Sequence, residues 1–195
     1  MIKWPVIFTL ALLVVSCKQK FPQKESTVQS TATAKKTQFF FPVTSYLKGQ
    51  LKSISEAGIN PIKYTTINSK MDSAWVKIET LALEAESFLQ PEIDTANVSN
   101  FFEEKNFLDQ TINAYTFSYD PLPARPKGFA WERWDVYVDP ATNKVKRVYL
   151  VKILPVNKTQ QLTWQTDKWF KIVTIANSDN NTSKVEKEVL IKWDF

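Results

Sequence analysis

The stretch "WERWDVYVDPATNKVKRVYLVKILPVNKTQQLTWQTDKWFKIVTI", Trp131 to Ile175, decides the fold. Val, Ile, Thr and aromatic residues dominate it, which suits a pleated, half-buried surface. "DPATNK" at 139–144 and "TDK" at 166–168 interrupt it with turn-forming residues. The pattern predicts strands over 131–138, 144–154, 161–165 and 169–175. Working outward, it extends to strands at 111–119 and 187–193, so the chain from Phe107 onward reads as an antiparallel meander. Trp134 alternates with Val136 and Val138, and Trp193 with Ile191, as residues facing a core do.

Upstream the spacing changes. Val43, Tyr46, Leu47, Gln50, Leu51 and Ile54 fall on one helical face, Pro42 suits a first helical turn and Gly58 a stop, which predicts a helix over 42–57. Two β-leaning runs, 62–67 and 74–78, predict a hairpin. Leu81, Ala85, Phe88 and Leu89 keep helical spacing before Pro91, and "NVSNFFEEK" at 97–105 suggests a short third helix. The expected fold class is α+β: two or three N-terminal helices and a hairpin packed on a curved antiparallel β-meander, roll-like. In element order this resembles cystatin-like and nuclear-transport-factor-like rolls, a resemblance of architecture that carries no function.

Composition removes whole classes of chemistry. The 195 residues contain no histidine, one cysteine and three glycines. Without histidine there is no Ser-His or Cys-His dyad and no imidazole metal ligand. One cysteine forms no internal disulfide, and Gly49, Gly58 and Gly128 lie too far apart for a phosphate-cradling loop. The expectation is therefore a protein that is not an enzyme, with no catalytic residues, metal or cofactor. The net charge of +5 is localised. Six lysines and one glutamate precede Gln38, and the remaining 19 basic and 19 acidic residues cancel. A neutral folded part argues against a nucleic-acid partner.

The N-terminus reads as an address. Lys3, an apolar run over 4–15 and the small residue Ser16 have the anatomy of a signal peptide, and the run is too short to span a bilayer as a helix. Val14-Val15-Ser16-Cys17 resembles the lipobox of bacterial lipoproteins, with Val14 where Leu is more usual. That resemblance implies cleavage before Cys17, diacylation of its thiol and acylation, as by palmitate, of the new amine. Acyl chains contribute about 0.8 kcal/mol per buried methylene, so two or more hold a protein stably on a membrane. The organisation expected is a signal peptide over 1–16, a lipidated flexible tether over 17–38 and one α+β domain over 39–195.

Abundant Lys, Asn and aromatic residues make the chain similar to uncharacterised envelope lipoproteins of the Bacteroidota. Lys18-Gln19-Lys20, lacking acidic residues after the cysteine, implies a periplasm-facing anchor in the outer membrane of the bacterial cell envelope. "DSA" at 72–74 and "DTA" at 94–96 resemble the O-glycosylation acceptor of that group, with Ser73 and Thr95 as the sites.

Three readings of function follow. The first is a non-catalytic, membrane-anchored lipoprotein whose domain binds an unknown protein or polymer partner. Its candidate contacts are Trp131, beside the proline-rich "DPLPARPKG" loop, and the arginines Arg125 and Arg133. Arginine suits a two-pronged grip on carboxylate or phosphate. Arg147 is the third and last arginine, and all three have acidic residues near enough to pair with instead. The second reading is a carrier of a hydrophobic small molecule in an apolar pocket lined by Trp and Phe. The third is a carboxylate-dependent hydrolase drawing on Glu103, Glu104, Asp109 and Asp120.

Overall fold

Residues 40–178 and 182–194 are described by the structure, a computed structural model. Within them, α1 (Val43–Glu56) forms over the segment whose apolar spacing predicts it, burying Val43, Thr44, Leu47, Leu51 and Ile54. Gly58, at φ 66°, supplies the left-handed residue that ends it. Next come β1 (Ile62–Ile67) and β2 (Lys70–Trp75). Asn68 and Ser69, both at positive φ (47° and 65°), make the two-residue turn between them. That tight turn sets Ile67 opposite Lys70, so the second strand begins four residues earlier than its apolar run suggests.

The helical spacing after Ile78 yields single turns instead of a helix. A 3-10 turn (Ile78–Thr80), α2 (Leu81–Glu84), α3 (Glu86–Leu89) and α4 (Thr95–Val98) follow one another. Ala85 breaks the ladder at φ −91°, ψ 1°, yet Leu81, Ala85 and Phe88 are all buried. So short a segment has little helical stability of its own, and docking of its apolar side chains dictates its path.

Seven further strands complete the domain: β3 (Phe102–Asp109), β4 (Ala114–Pro121), β5 (Trp131–Val138), β6 (Val145–Leu154), β7 (Lys158–Gln165), β8 (Trp169–Asn177) and β9 (Ser183–Lys192). All nine strands join one antiparallel sheet in the order β2-β1-β9-β8-β7-β6-β5-β4-β3. The expected α+β class is therefore corrected: the fold is mostly β, with α1 its one helix longer than four residues among the described residues. Two misreadings produced the difference. The 62–75 hairpin does not pack on the meander but extends it, β1 pairing with β9 from Ile62↔Lys192 to Ile67↔Lys187. "FFEEK", expected as helix, opens β3, whose run of Glu103, Glu104 and Lys105 suits the solvated edge of a sheet.

One face of the sheet is sealed by the helical segments. Phe88 of α3 stands edge-on to Trp164 and Phe170, at 5.5 and 5.4 Å between ring centroids. Those two rings stack at 5.0 Å, and Trp193 adds a second indole, 5.7 Å from Trp164. A second cluster joins Phe40, Tyr119, Trp134 and Phe102, with Tyr119 and Trp134 stacked at 4.9 Å. Backbone polar groups of the covering loops find partners in this layer. Phe41 N–H donates to the Tyr119 hydroxyl (3.1 Å), and Ile93 N–H to Thr44 Oγ1 (2.8 Å).

Two outcomes test this packing. Trp164 is fully buried with its indole N–H unpartnered. Trp164→Ala lowers stability in urea unfolding by about 3–5 kcal/mol through the cavity it leaves. Trp164→Phe removes the orphaned donor and costs only about 1 kcal/mol. Val156, in the β6–β7 turn, is held at φ 62°, a conformation a β-branched residue resists, with its side chain in solvent. Val156→Gly relieves that strain and raises stability by about 1 kcal/mol.

Candidate functional site

The face of the sheet opposite the helices carries the polar alternates of the same strands. On β5, Trp134 and Val136 are buried in the core, which turns Arg133, Asp135 and Tyr137 outward. On β6, Val148 and Leu150 face the core and Arg147, Tyr149 and Val151 turn outward. The ladder then sets these residues in rows across three strands. Arg133 lies opposite Val151; Asp135 opposite Tyr149, itself opposite Thr163; Tyr137 opposite Arg147, itself opposite Gln165. Arg133, Asp135, Tyr137, Arg147, Tyr149, Val151 and Thr163 line one open hollow of about 440 Å³. A smaller one, about 200 Å³, adjoins it and shares Tyr137 and Arg147.

Charge within the hollow is unbalanced. Arg133 Nη2 donates to both oxygens of Asp135, at 3.2 and 2.9 Å, and Asp135 is 3% exposed. A carboxylate this enclosed requires such a partner. The Asp135 carboxylate in turn raises Arg133 above its ordinary value, outweighing the opposing effect of burial. Arg147 instead lies over the Tyr137 ring, 4.1 Å from its centroid, a cation–π contact. Two guanidinium groups thus line the hollow with one carboxylate, while Asp120, bound to Lys105 outside it, adds a weaker attraction on Arg133.

Both tyrosine hydroxyls are shifted upward from their ordinary value. Burial pushes the Tyr137 hydroxyl up, Asp135 adds to the shift and Arg147 opposes it. Burial likewise raises Tyr149, against an opposing influence of Arg133. Across the ladder from Tyr137, the buried Thr116 hydroxyl has no hydrogen-bond partner.

The residues singled out from sequence lie in different places. Arg133 belongs to the hollow. Trp131, expected as an exposed contact, is fully buried; its indole N–H donates to Pro91 O (2.9 Å), and Lys152 Nζ lies 5.3 Å from its ring centroid. The segment carrying Pro91 accepts the indole N–H, so the ring's position next to a loop did not mean exposure. Arg125 holds that loop to β5, donating to Trp131 O (2.7 Å) and to Glu132 Oε2 (3.3 Å). Ser73 is exposed on the edge strand β2, and Thr95 opens α4, where Asp94 caps the helix by accepting from Asn97 N–H (2.9 Å). Cys17 lies outside the described residues.

The four carboxylates considered for hydrolysis do not converge. Glu103 and Asp120 sit opposite each other and both bind Lys105, at 3.0 and 3.1 Å. Glu104 is opposite Tyr119 on the other face, and Asp109 accepts from Thr111 N–H in the β3–β4 turn. Among the described residues, no group of three or more acidic or cysteine side chains is placed to hold a metal ion, and no helix is long and apolar enough to cross a membrane. A larger open hollow, about 590 Å³, follows the β1–β2 hairpin, but its Lys63 is spent on both oxygens of Glu84 at 2.8 Å.

Sequence reasoning missed Tyr137, Tyr149 and Thr163. The signal was present: once Trp134-Val136-Val138 is read as the inward set, Arg133-Asp135-Tyr137 is necessarily the outward one.

The raised tyrosines make a pH prediction. A tyrosine whose folded value exceeds its unfolded value contributes stability that is complete below about pH 10 and is lost as pH rises beyond it. Tyr46, Tyr119, Tyr137 and Tyr149 are all shifted upward, by burial first. Stability to urea is therefore flat with respect to these groups from pH 8 to 9 and falls above pH 10, and it falls less steeply in Tyr119→Phe, which removes one of them. An equally steep fall above pH 10 in Tyr119→Phe contradicts this.

No protein-family model, curated protein or solved structure matches this chain, so its function is read from the chemistry of the open face.

Proposed function

We propose that this chain is a non-catalytic, lipid-anchored binding protein of the bacterial cell envelope, held through Cys17 at the outer membrane and facing the periplasm. Its open sheet face is the surface offered to a protein or polymer partner. The observation that carries the binding half is the division of the sheet. Aromatic rings and helical turns fill one face, while the other gathers two arginines, two tyrosines and a threonine around a hollow. The anchor half rests on the lipobox-like Val14-Val15-Ser16-Cys17 and the polar stretch after it.

The two other readings have less support. Phe88, Trp164, Phe170 and Trp193 occupy the space between α3 and the sheet with their own ring contacts, where a carrier would keep room for a hydrophobe. For hydrolysis, Glu103 and Asp120 are tied to one lysine on the surface.

Mass spectrometry of the mature protein from native membranes tests the anchor. The expected N-terminus is Cys17, carrying diacylglycerol and an amide-linked acyl chain, and Cys17→Ser abolishes both cleavage at that position and acylation. An unmodified thiol at Cys17, or a mature terminus elsewhere, overturns it.

A further inference from the structure

We infer that the hollow between β5, β6 and β7 is a binding site for a carboxylate-bearing sugar, the uronic acid type of ring. This rests on the reading of the open face as a binding surface and names what that surface takes. The first reason is an excess of donors. Both bonds to Asp135 come from Arg133 Nη2, which leaves Nη1 and Nε of the same guanidinium outside that pair. Arg147 is stacked on Tyr137 and has no carboxylate partner among the described residues. With Asp135 taken by Arg133, the remaining donors suit a ligand that brings acceptors and a negative charge.

Shape and hydroxyl chemistry give the second reason. A guanidinium presents a planar fork that matches a carboxylate, and Arg147 is pre-oriented by the Tyr137 ring beneath it. Tyr149 and Thr163, directly opposite each other on neighbouring strands, contribute two hydroxyl groups, and Val151 a small apolar surface. A sugar acid offers the matching set: a carboxylate, a ring of hydroxyls and apolar C–H faces. The volume, about 440 Å³, lies within the usual range for small-molecule sites. The strands fix the backbone positions of all seven residues, and the Arg133–Asp135 and Arg147–Tyr137 contacts hold four of the side chains, which reduces the ordering needed on binding.

The test is calorimetric titration of the full mature chain in detergent. The probes are trigalacturonate, the same trisaccharide with its carboxyls methyl-esterified, acetate and inorganic phosphate. The expected result is that trigalacturonate binds, and that esterification or Arg147→Lys weakens it about tenfold or more, the worth of a charge-assisted fork. Tyr149→Phe weakens it by a smaller factor, the thermal midpoint of each variant stays at the parent value, and acetate and phosphate bind much more weakly. Equal binding of the ester, equal binding of acetate or phosphate, full affinity in Arg147→Lys, or no binding of trigalacturonate overturns the inference. Loss of trigalacturonate binding from a chain acylated at Cys17 rejects the ligand class and leaves the anchor reading standing. Conversion of the bound sugar to a new product rejects the non-catalytic reading and leaves the site standing.

Discussion

The aromatic seal between α3 and the middle of the sheet is the contact on which the rest of the molecule depends. Phe88 meets Trp164 and Phe170 edge-on, and those two rings stack on each other across β7 and β8. A sheet needs one apolar face covered, and here α1 brings Val43, Leu47, Leu51 and Ile54 to it while the single turns that follow add Leu81, Phe88 and Val98. The Lys152 side chain reinforces the seal from the sheet side, reaching the carbonyls of Ser87 and Gln90 around the end of α3. Burial lowers the Lys152 ammonium below its ordinary value, so the contact is made at some electrostatic cost.

One-sided burial has a direct consequence for the other face. Successive strand residues point to opposite sides, so each indole or aliphatic residue committed to the seal sends its neighbours outward. Trp134 and Val136 thereby place Arg133, Asp135 and Tyr137, and Val148 and Leu150 place Arg147, Tyr149 and Val151. The hollow therefore needs no loop of its own to position it. Its groups stand on central strands, flanked on both sides by paired neighbours, the rigid support that convergent polar contacts require.

Much of this was legible in the chain, and the exceptions share a cause. The limits of β5 and nearly those of α1 follow from alternation, helical spacing and turn residues. β3 was not legible, because an edge strand has no buried partner on one side and its Glu103-Glu104-Lys105 run looks like a solvated helix. The joining of β1 to β9 is a contact between distant segments, and no local pattern encodes it. Of the site, Arg133 was visible and Trp131 was misplaced, since burial of an indole beside a loop depends on what the loop folds against. Tyr137, Tyr149 and Thr163 become candidates only when three strands are aligned, which is a property of register.

The central claim is that one face of the sheet is closed by aromatic side chains and the other is open. Hydroxyl-radical footprinting with residue-level mass spectrometry measures this directly. Trp75, 68% exposed, is expected to oxidise rapidly, Tyr137 and Tyr149 at intermediate rates, and the fully buried Trp131, Trp134 and Trp164 only after the protein is unfolded. Oxidation of Trp164 and Trp134 in the folded protein at the rate of Trp75, with Tyr149 protected, would contradict the account.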